Sequence, residues 1–211
     1  MFDPAAELAD YVEYALDVPM YFIQREQRLI DLTGRRFTFG EFLRGGYLTH
    51  QATLADWDLH LSTLFPEVRL RPQIEIRSAD SLPPRFALAV GALLKGVLYD
   101  PQAAEDSWAL FRDLAAPERD RLYRQAWRLG LRAPWRQGLL QELAVTVLQI
   151  ARAGLQRQNR RNARGEDEAV FLDEIIALTS RGETLAQHLL ERWHGCRAEK
   201  LALLRAHCGL A

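Results

Sequence analysis

Cysteine, lysine and surplus charge of either sign are all scarce in this sequence of 211 residues. Its two cysteines, Cys196 and Cys208, lie in a segment with helical spacing, which would separate them by about 18 Å along the axis, too far for a disulfide. The 27 basic and 28 acidic residues nearly cancel, which argues against nucleic acid as a partner held by a general positive field. We find no apolar run long enough for a membrane span and no secretory leader. These absences predict a cytoplasmic protein with no membrane partner.

Most of the chain has the apolar spacing of helices. In the first 80 residues the pattern predicts a helix over 5–16, a short helix that begins at Thr38 with Glu41 as its capping partner, and a helix over 53–65. From residue 84 onward it predicts seven more, separated by proline or glycine. These lie near residues 84–99, 102–114, 117–129, 136–157, 167–179, 182–193 and 197–207.

Strands are few. Residues 67–77 alternate between apolar and charged side chains, the period of a strand, and Pro72 predicts either a bulge or an edge position because proline lacks an N–H. Residues 20–23 and 29–32 are shorter strand-like runs. So few strands cannot satisfy their own backbone groups. Either the short runs pair with residues 68–77, or polypeptide outside this sequence completes the sheet.

The polar face of residues 67–77 carries the most informative chemistry. Glu75 and Arg77 are two positions apart, so they should project side by side, with Arg69 and Arg71 further along the same face. A carboxylate can hold Mg²⁺, and a guanidinium can neutralise a phosphoryl group or grip a carboxylate. A solvated sheet face with charges paired across strands has the same pattern, and the pattern alone favours that simpler interpretation.

Three blocks of the sequence resemble the glutamate-cysteine ligases of plants and proteobacteria. The longest is DWDLHLSTLFPEVRLR at residues 56–71, continued by IEIRSAD at 74–80. The others are YALDVPMYF at residues 14–22 and GVLYD at residues 96–100, in matching order. The resemblance is strong over the first half of the chain and diffuse over the helical remainder.

The resemblance implies an ATP-dependent ligase that joins the side-chain carboxylate of glutamate to the amino group of cysteine. The reaction would pass through a γ-glutamyl phosphate with Mg²⁺ and would begin glutathione synthesis. The implied fold is α+β: a mostly helical chain whose small antiparallel sheet is an incomplete part of a glutamine-synthetase-like active-site sheet. Residues 1–211 would form a single domain, with 1–80 contributing to the sheet and 81–211 forming a helical layer.

The resemblance also assigns site residues by position. The Ile-Glu-x-Arg block of the family assigns Glu75 to magnesium and the nucleotide, and Arg77 to the reacting phosphoryl and substrate groups. Arg69 would bind a substrate carboxylate, and Tyr21 would form a wall of the substrate pocket. Since family members are much longer, the chain would be inactive without a missing N-terminal half or a complementary chain. The alternatives are a non-catalytic helical module for binding or regulation, and a related carboxylate-amine ligase.

Overall fold

The computed structural model describes residues 6–70 and 72–209. Their contacts group the chain into two compact units, residues 1–79 and 80–211. Helices make up most of the second unit, the first unit mixes helices with strands, and the described sheets are three antiparallel pairs of strands, so the predicted α+β class is confirmed. That residues 1–211 form a single domain stays a prediction.

In its described residues, the first unit alternates helices with two β-hairpins. Helices α2 (Phe39–Gly45) and α3 (Leu54–Ser62) begin where the sequence predicts, because Thr38 with Glu41 and Thr53 with Asp56 form reciprocal capping boxes. A core of Met20, Ile23, Leu32, Phe39 and Phe42 lies between the first hairpin and α2. The elements are α1 (Leu8–Asp17), β1 (Phe22–Arg25), β2 (Arg28–Asp31), α2 (Phe39–Gly45), α3 (Leu54–Ser62), β3 (Val68–Leu70) and β4 (Ile74–Ile76).

Residues 67–77 form a hairpin rather than one continuous strand. β3 pairs with β4, with Leu70 opposite Ile74 and Arg69 opposite Glu75. Pro72 lies between the two strands, so the predicted bulge is wrong, whereas both strands are edges of a two-stranded sheet. Proline suits a turn because its φ is fixed and it has no N–H.

The first hairpin is self-contained. β1 pairs with β2, and in the described part of the chain neither strand joins β3 or β4. The predicted pairing of the short runs with residues 68–77 is therefore wrong. Completion of the sheet by polypeptide outside this sequence stays a prediction.

The second unit is almost wholly helical, and each of the seven predicted helical segments overlaps a helix. A hairpin of β5 (Pro134–Trp135) and β6 (Gly138–Leu139), with two residues per strand, was not predicted. 3₁₀ turns occupy Gly130–Arg132 and Glu168–Leu172. The elements are α4 (Pro84–Leu98), α5 (Pro101–Ala109), α6 (Ala116–Leu129), β5 (Pro134–Trp135), β6 (Gly138–Leu139), α7 (Leu140–Gln158), α8 (Asp173–Ser180), α9 (Leu185–Glu191) and α10 (Arg197–Cys208).

The second unit is organised around the crossing of α4 and α7. Gly96 and Gly154 bring the two backbones together, since a Cβ on Gly154 would lie 2.1 Å from the carbonyl oxygen of Gly96. Next to this crossing, Asp100 caps α5 and forms an ion pair of 2.7 Å with Arg157 of α7. The surrounding apolar core comprises Ala89, Ala92, Leu148, Ala151, Leu155, Ala169, Leu172 and Ile176.

The second unit contains both cysteines of the chain. Cys196 and Cys208 are both free, as their separation along α10 requires. None of the helices in the described ranges combines the length and the apolar character needed to cross a bilayer.

Candidate functional site

Three charged residues of the β3–β4 hairpin form a continuous series on one face. Arg69 donates to Oε2 of Glu75 from Nε at 3.0 Å and from Nη2 at 2.6 Å. Arg77 donates from Nη1 to Oε1 of the same carboxylate at 2.9 Å. Glu75 and Arg77 are neighbours because they alternate onto one face of an extended segment, whereas Arg69 reaches Glu75 from the opposite strand.

Arg69 is the buried member of this series. The residue is only 8% exposed, and its Nη1 donates to the carbonyl oxygens of Ser62, the last residue of α3, at 2.8 Å and of Leu64 at 3.3 Å. A guanidinium has five N–H groups, and four of those in Arg69 are in hydrogen bonds. The predicted binding of a substrate carboxylate by Arg69 stays a prediction, and this geometry leaves little capacity for it.

Arg77 is more accessible than Arg69, with a side chain 30% exposed against 9%. Its guanidinium lies over the ring of Phe65, 5.0 Å from the centroid, and its only side-chain hydrogen bond in the described part of the chain is to Glu75. Phe65 in turn meets Tyr21 edge to face, with centroids 6.5 Å apart. The four predicted site residues thus lie together, and Phe65 joins them. We call Tyr21, Phe65, Arg69, Glu75 and Arg77 the arginine-aromatic cluster.

A cavity of about 330 Å³ borders the cluster on the side of Tyr21 and Phe65. The described residues around it carry no formal charge, and Tyr14, Met20 and Thr63 are among them. Tyr21 therefore forms part of a cavity wall, but substrate binding there stays a prediction. The cavity offers an uncharged compartment beside a guanidinium.

The electrostatics of the cluster hold Glu75 in its ionised form. The hydrogen bond from Arg69 lowers the pKa of the Glu75 carboxyl group, and the charge of Arg77 acts in the same direction. Arg69 and Arg77 therefore flank a carboxylate that is negative at neutral pH.

The donor set around Glu75 does not by itself fit magnesium. Both carboxylate oxygens already accept from guanidinium groups, whereas Mg²⁺ requires oxygen ligands directed at the ion. Across residues 6–70 and 72–209, no group of three or more His, Cys, Asp or Glu side chains is arranged to hold a metal ion. Arg71, predicted on the same face, lies outside the described residues. A magnesium site would need further carboxylates.

Two other polar residues of the longest family-like block have structural contacts. Asp56, 4% exposed, accepts from Arg25 at 2.6 and 3.0 Å and from the capping residue Thr53. His60 is 2% exposed and contacts the carbonyl oxygen of Ala15 at 2.8 Å through Nε2. Burial lowers the pKa of His60, so its imidazole is neutral at pH 7.

Comparison with known proteins decides the family. The sequence matches glutamate-cysteine ligase family 2 over residues 1–206. This chain belongs to that family. It is 39% identical over 198 residues to a chloroplastic glutamate–cysteine ligase of Solanum lycopersicum, covering 92% of this chain and 36% of the relative. For the chloroplastic glutamate–cysteine ligase of Arabidopsis thaliana the identity is 40% over 198 residues, with the same two shares.

As a member of glutamate-cysteine ligase family 2, the chain spans little more than a third of the length of these curated relatives. The family resemblance seen in the sequence is confirmed. The predicted cytoplasmic location is wrong, because the names of these relatives place them in the chloroplast. That prediction relied on the beginning of the chain, which gives no information about a leader when so little of each relative is matched.

Proposed function

We propose that this chain is part of an ATP-dependent glutamate-cysteine ligase and that it contributes the guanidinium of Arg77 to the reacting phosphoryl group. The substrates are glutamate, cysteine and ATP, and the product γ-glutamylcysteine leads to glutathione. The observation that carries the proposal is the position of Arg77 in a chain of this family: its guanidinium lies over Phe65 and donates to Glu75, and among the described residues its other N–H groups have no side-chain acceptor.

The reaction needs positive charge at two moments. In the first step the side-chain carboxylate of glutamate attacks the terminal phosphorus of ATP; the bond to ADP breaks and an acyl phosphate forms. In the second step the amino group of cysteine attacks the acyl carbon, phosphate leaves with the electrons of the broken C–O bond, and the nitrogen loses a proton. A fixed guanidinium stabilises the negative charge that gathers on the phosphoryl oxygens in both steps.

Magnesium and the nucleotide require more than the described residues. When bound, Mg²⁺ offsets charge on the phosphates. The assignment of Glu75 to magnesium stays a prediction, and it would require Glu75 to release at least one of its two arginines. We infer that the principal magnesium carboxylates come from a longer polypeptide or a complementary chain, and that this chain alone is inactive.

A segment exchange tests this proposal. In the Solanum lycopersicum relative, the segment that matches this chain is replaced by the chain itself, and phosphate release is measured with ATP, Mg²⁺, glutamate and cysteine. The isolated chain should release no phosphate above background. The exchanged enzyme should turn over, and Arg77→Ala should reduce its kcat by about 10²–10³-fold, the usual effect of removing a charge-stabilising donor.

The control is Arg28→Gln, which removes an exposed arginine of β2 from the same unit and should leave kcat unchanged. Turnover by the isolated chain would refute the need for other polypeptide. A normal kcat in a folded Arg77→Ala enzyme would refute the role of Arg77. If the exchanged enzyme fails to fold, calorimetric titration of the isolated chain with pyrophosphate decides: Arg77-dependent binding supports the role, and its absence counts against it.

A further inference from the structure

We propose that Arg69 is a positioning residue, which sets the place and orientation of Arg77 instead of binding substrate itself. The catalytic purpose of this positioning rests on the proposed function, but whether Arg69 orders Arg77 can be tested without any ligase activity. It assigns a role to the least accessible member of the arginine-aromatic cluster.

Arg69 already has most of its N–H groups in hydrogen bonds to the protein. Arg69 is buried and donates four hydrogen bonds to protein acceptors: two to the Glu75 carboxylate and two to the carbonyl oxygens of Ser62 and Leu64. A substrate carboxylate usually binds a guanidinium through two parallel N–H groups. Arg69 could offer such a pair only by leaving a buried partner unsatisfied, which is costly.

Arg69 is connected to Arg77 through Glu75. Both donations from Arg69 end on Oε2, which turns the other oxygen, Oε1, toward Nη1 of Arg77. The carboxylate is therefore a bridge whose orientation is set from its buried side. Without Arg69, Glu75 could rotate about its own side-chain bonds, because it projects from a two-stranded hairpin and its side chain is 34% exposed.

Arg69 also holds the segment that leads to Phe65, the aromatic ring beneath Arg77. The carbonyl groups of Ser62 and Leu64 belong to the segment that leads directly into Phe65, whose ring lies under the Arg77 guanidinium. One buried side chain thus holds both the ion-pair partner of Arg77 and the peptide segment that presents its aromatic support. A guanidinium held at two sides has less conformational freedom to lose when an anion binds, which favours binding and catalysis.

The experiment measures the mobility of Arg77 in the isolated full chain. The order parameter of the Arg77 Nε–H bond is determined by ¹⁵N relaxation in the unaltered protein, in Arg69→Gln, in Glu75→Gln and in the double variant. We expect a value of about 0.8 in the unaltered protein and below about 0.6 in each single variant. The double variant should lie no lower than the singles, because both changes interrupt one path.

Arg28→Gln is the matched control and should leave Arg77 ordered. Should Arg69→Gln fail to fold, Glu75→Gln retains the contacts of Arg69 with Ser62 and Leu64 and carries the test alone. An Arg77 that stays ordered in the folded variants would overturn the proposal.

Activity of the exchanged enzyme separates positioning from general structural support. Arg69→Gln should lower kcat about tenfold with Arg77 present and less than about twofold in the Arg77→Ala background. Equal losses in the two backgrounds would overturn the positioning role. If turnover proves independent of Arg77, the proposed function fails, whereas the relaxation result still decides whether Arg69 orders Arg77.

Discussion

At the crossing of α4 and α7, alanine substitution of two glycines of α4 should have opposite effects on stability. A Cβ added at Gly96 would lie 2.3 Å from the carbonyl oxygen of Ala151 and 2.8 Å from its carbonyl carbon. The obstacle is backbone, which cannot rotate away as a side chain can. Substitution Gly96→Ala must therefore move the two helices apart by about 1 Å to reach an ordinary contact distance. In contrast, a Cβ at Gly91, one and a half turns earlier in α4, meets nothing within 4 Å.

The magnitudes follow from two opposing effects. Overpacking a core typically costs about 1–3 kcal/mol, while alanine is more favourable than glycine inside a helix by about 1 kcal/mol. Because the Gly96 clash lies between two backbones and opens the packing around Ala92 and Leu155, we expect the cost to reach or exceed the top of that range, for a net loss of about 2 kcal/mol. Gly91→Ala should instead stabilise α4 by about 0.5–1 kcal/mol.

Hydrogen exchange of the α7 amides measures this difference within the second unit. Gly96→Ala should accelerate the slowest-exchanging amides of α7 about thirtyfold, and Gly91→Ala should leave them equal or slower. Equal exchange in the two variants would show that the helices do not approach as closely as described, and the reasoning from Cβ distances would fail.

Three further outcomes are expected. The hydrogen bond from Arg157 lowers the pKa of Asp100, so the ionised carboxylate stabilises the second unit at pH values above its ordinary pKa of about 4. This stabilisation is lost as the pH falls through the lower pKa of the folded state. In an acid titration followed by circular dichroism, Arg157→Gln should therefore unfold at a higher pH than the unaltered protein. Burial lowers the pKa of His60, so the unfolded chain binds a proton more readily than the folded unit, and the first unit should lose stability as the pH falls below about 6.5. The stability measured by hydrogen exchange in α3 should lose this pH dependence in His60→Gln. An unchanged dependence of stability on pH in that variant would contradict the reasoning. Mn²⁺ added to the isolated chain should broaden the resonances of Glu75 no more than those of exposed Glu26, and selective broadening at Glu75 would show that the chain holds a metal site by itself.

The mistaken strand over residues 67–77 shows what periodicity can and cannot predict. Opposite residues such as Leu70 and Ile74, or Arg69 and Glu75, are both even-numbered or both odd-numbered, so alternation continues unchanged through the turn. One long strand and a hairpin therefore have the same pattern. The proximity of Glu75 and Arg77 follows in either case and was predicted, whereas the contact of Arg69 with Glu75 depends on the position of the turn and was not.

Other parts of the site are contacts between residues far apart in the chain, which local sequence patterns do not predict. Phe65 meets Tyr21 from far along the chain, and Asp56 pairs with Arg25 of the first hairpin. The carbonyl groups that anchor Arg69 are main-chain atoms, which leave no trace in the residue types. Helix positions were predictable because apolar spacing and caps are local, as with Thr38 and Glu41; the β5–β6 hairpin is too short for a period to appear.

The series Arg69–Glu75–Arg77 contains an odd number of charges and cannot be neutral. The charges of the buried arginine and the carboxylate cancel, so the remaining unit of positive charge in the series lies on Arg77, at the end away from Arg69. In the absence of substrate, an anion from the medium can associate with that end. Chloride or phosphate in the buffer would therefore compete for the same place as a reacting phosphoryl group, and the apparent affinity of this surface for anions should fall with ionic strength.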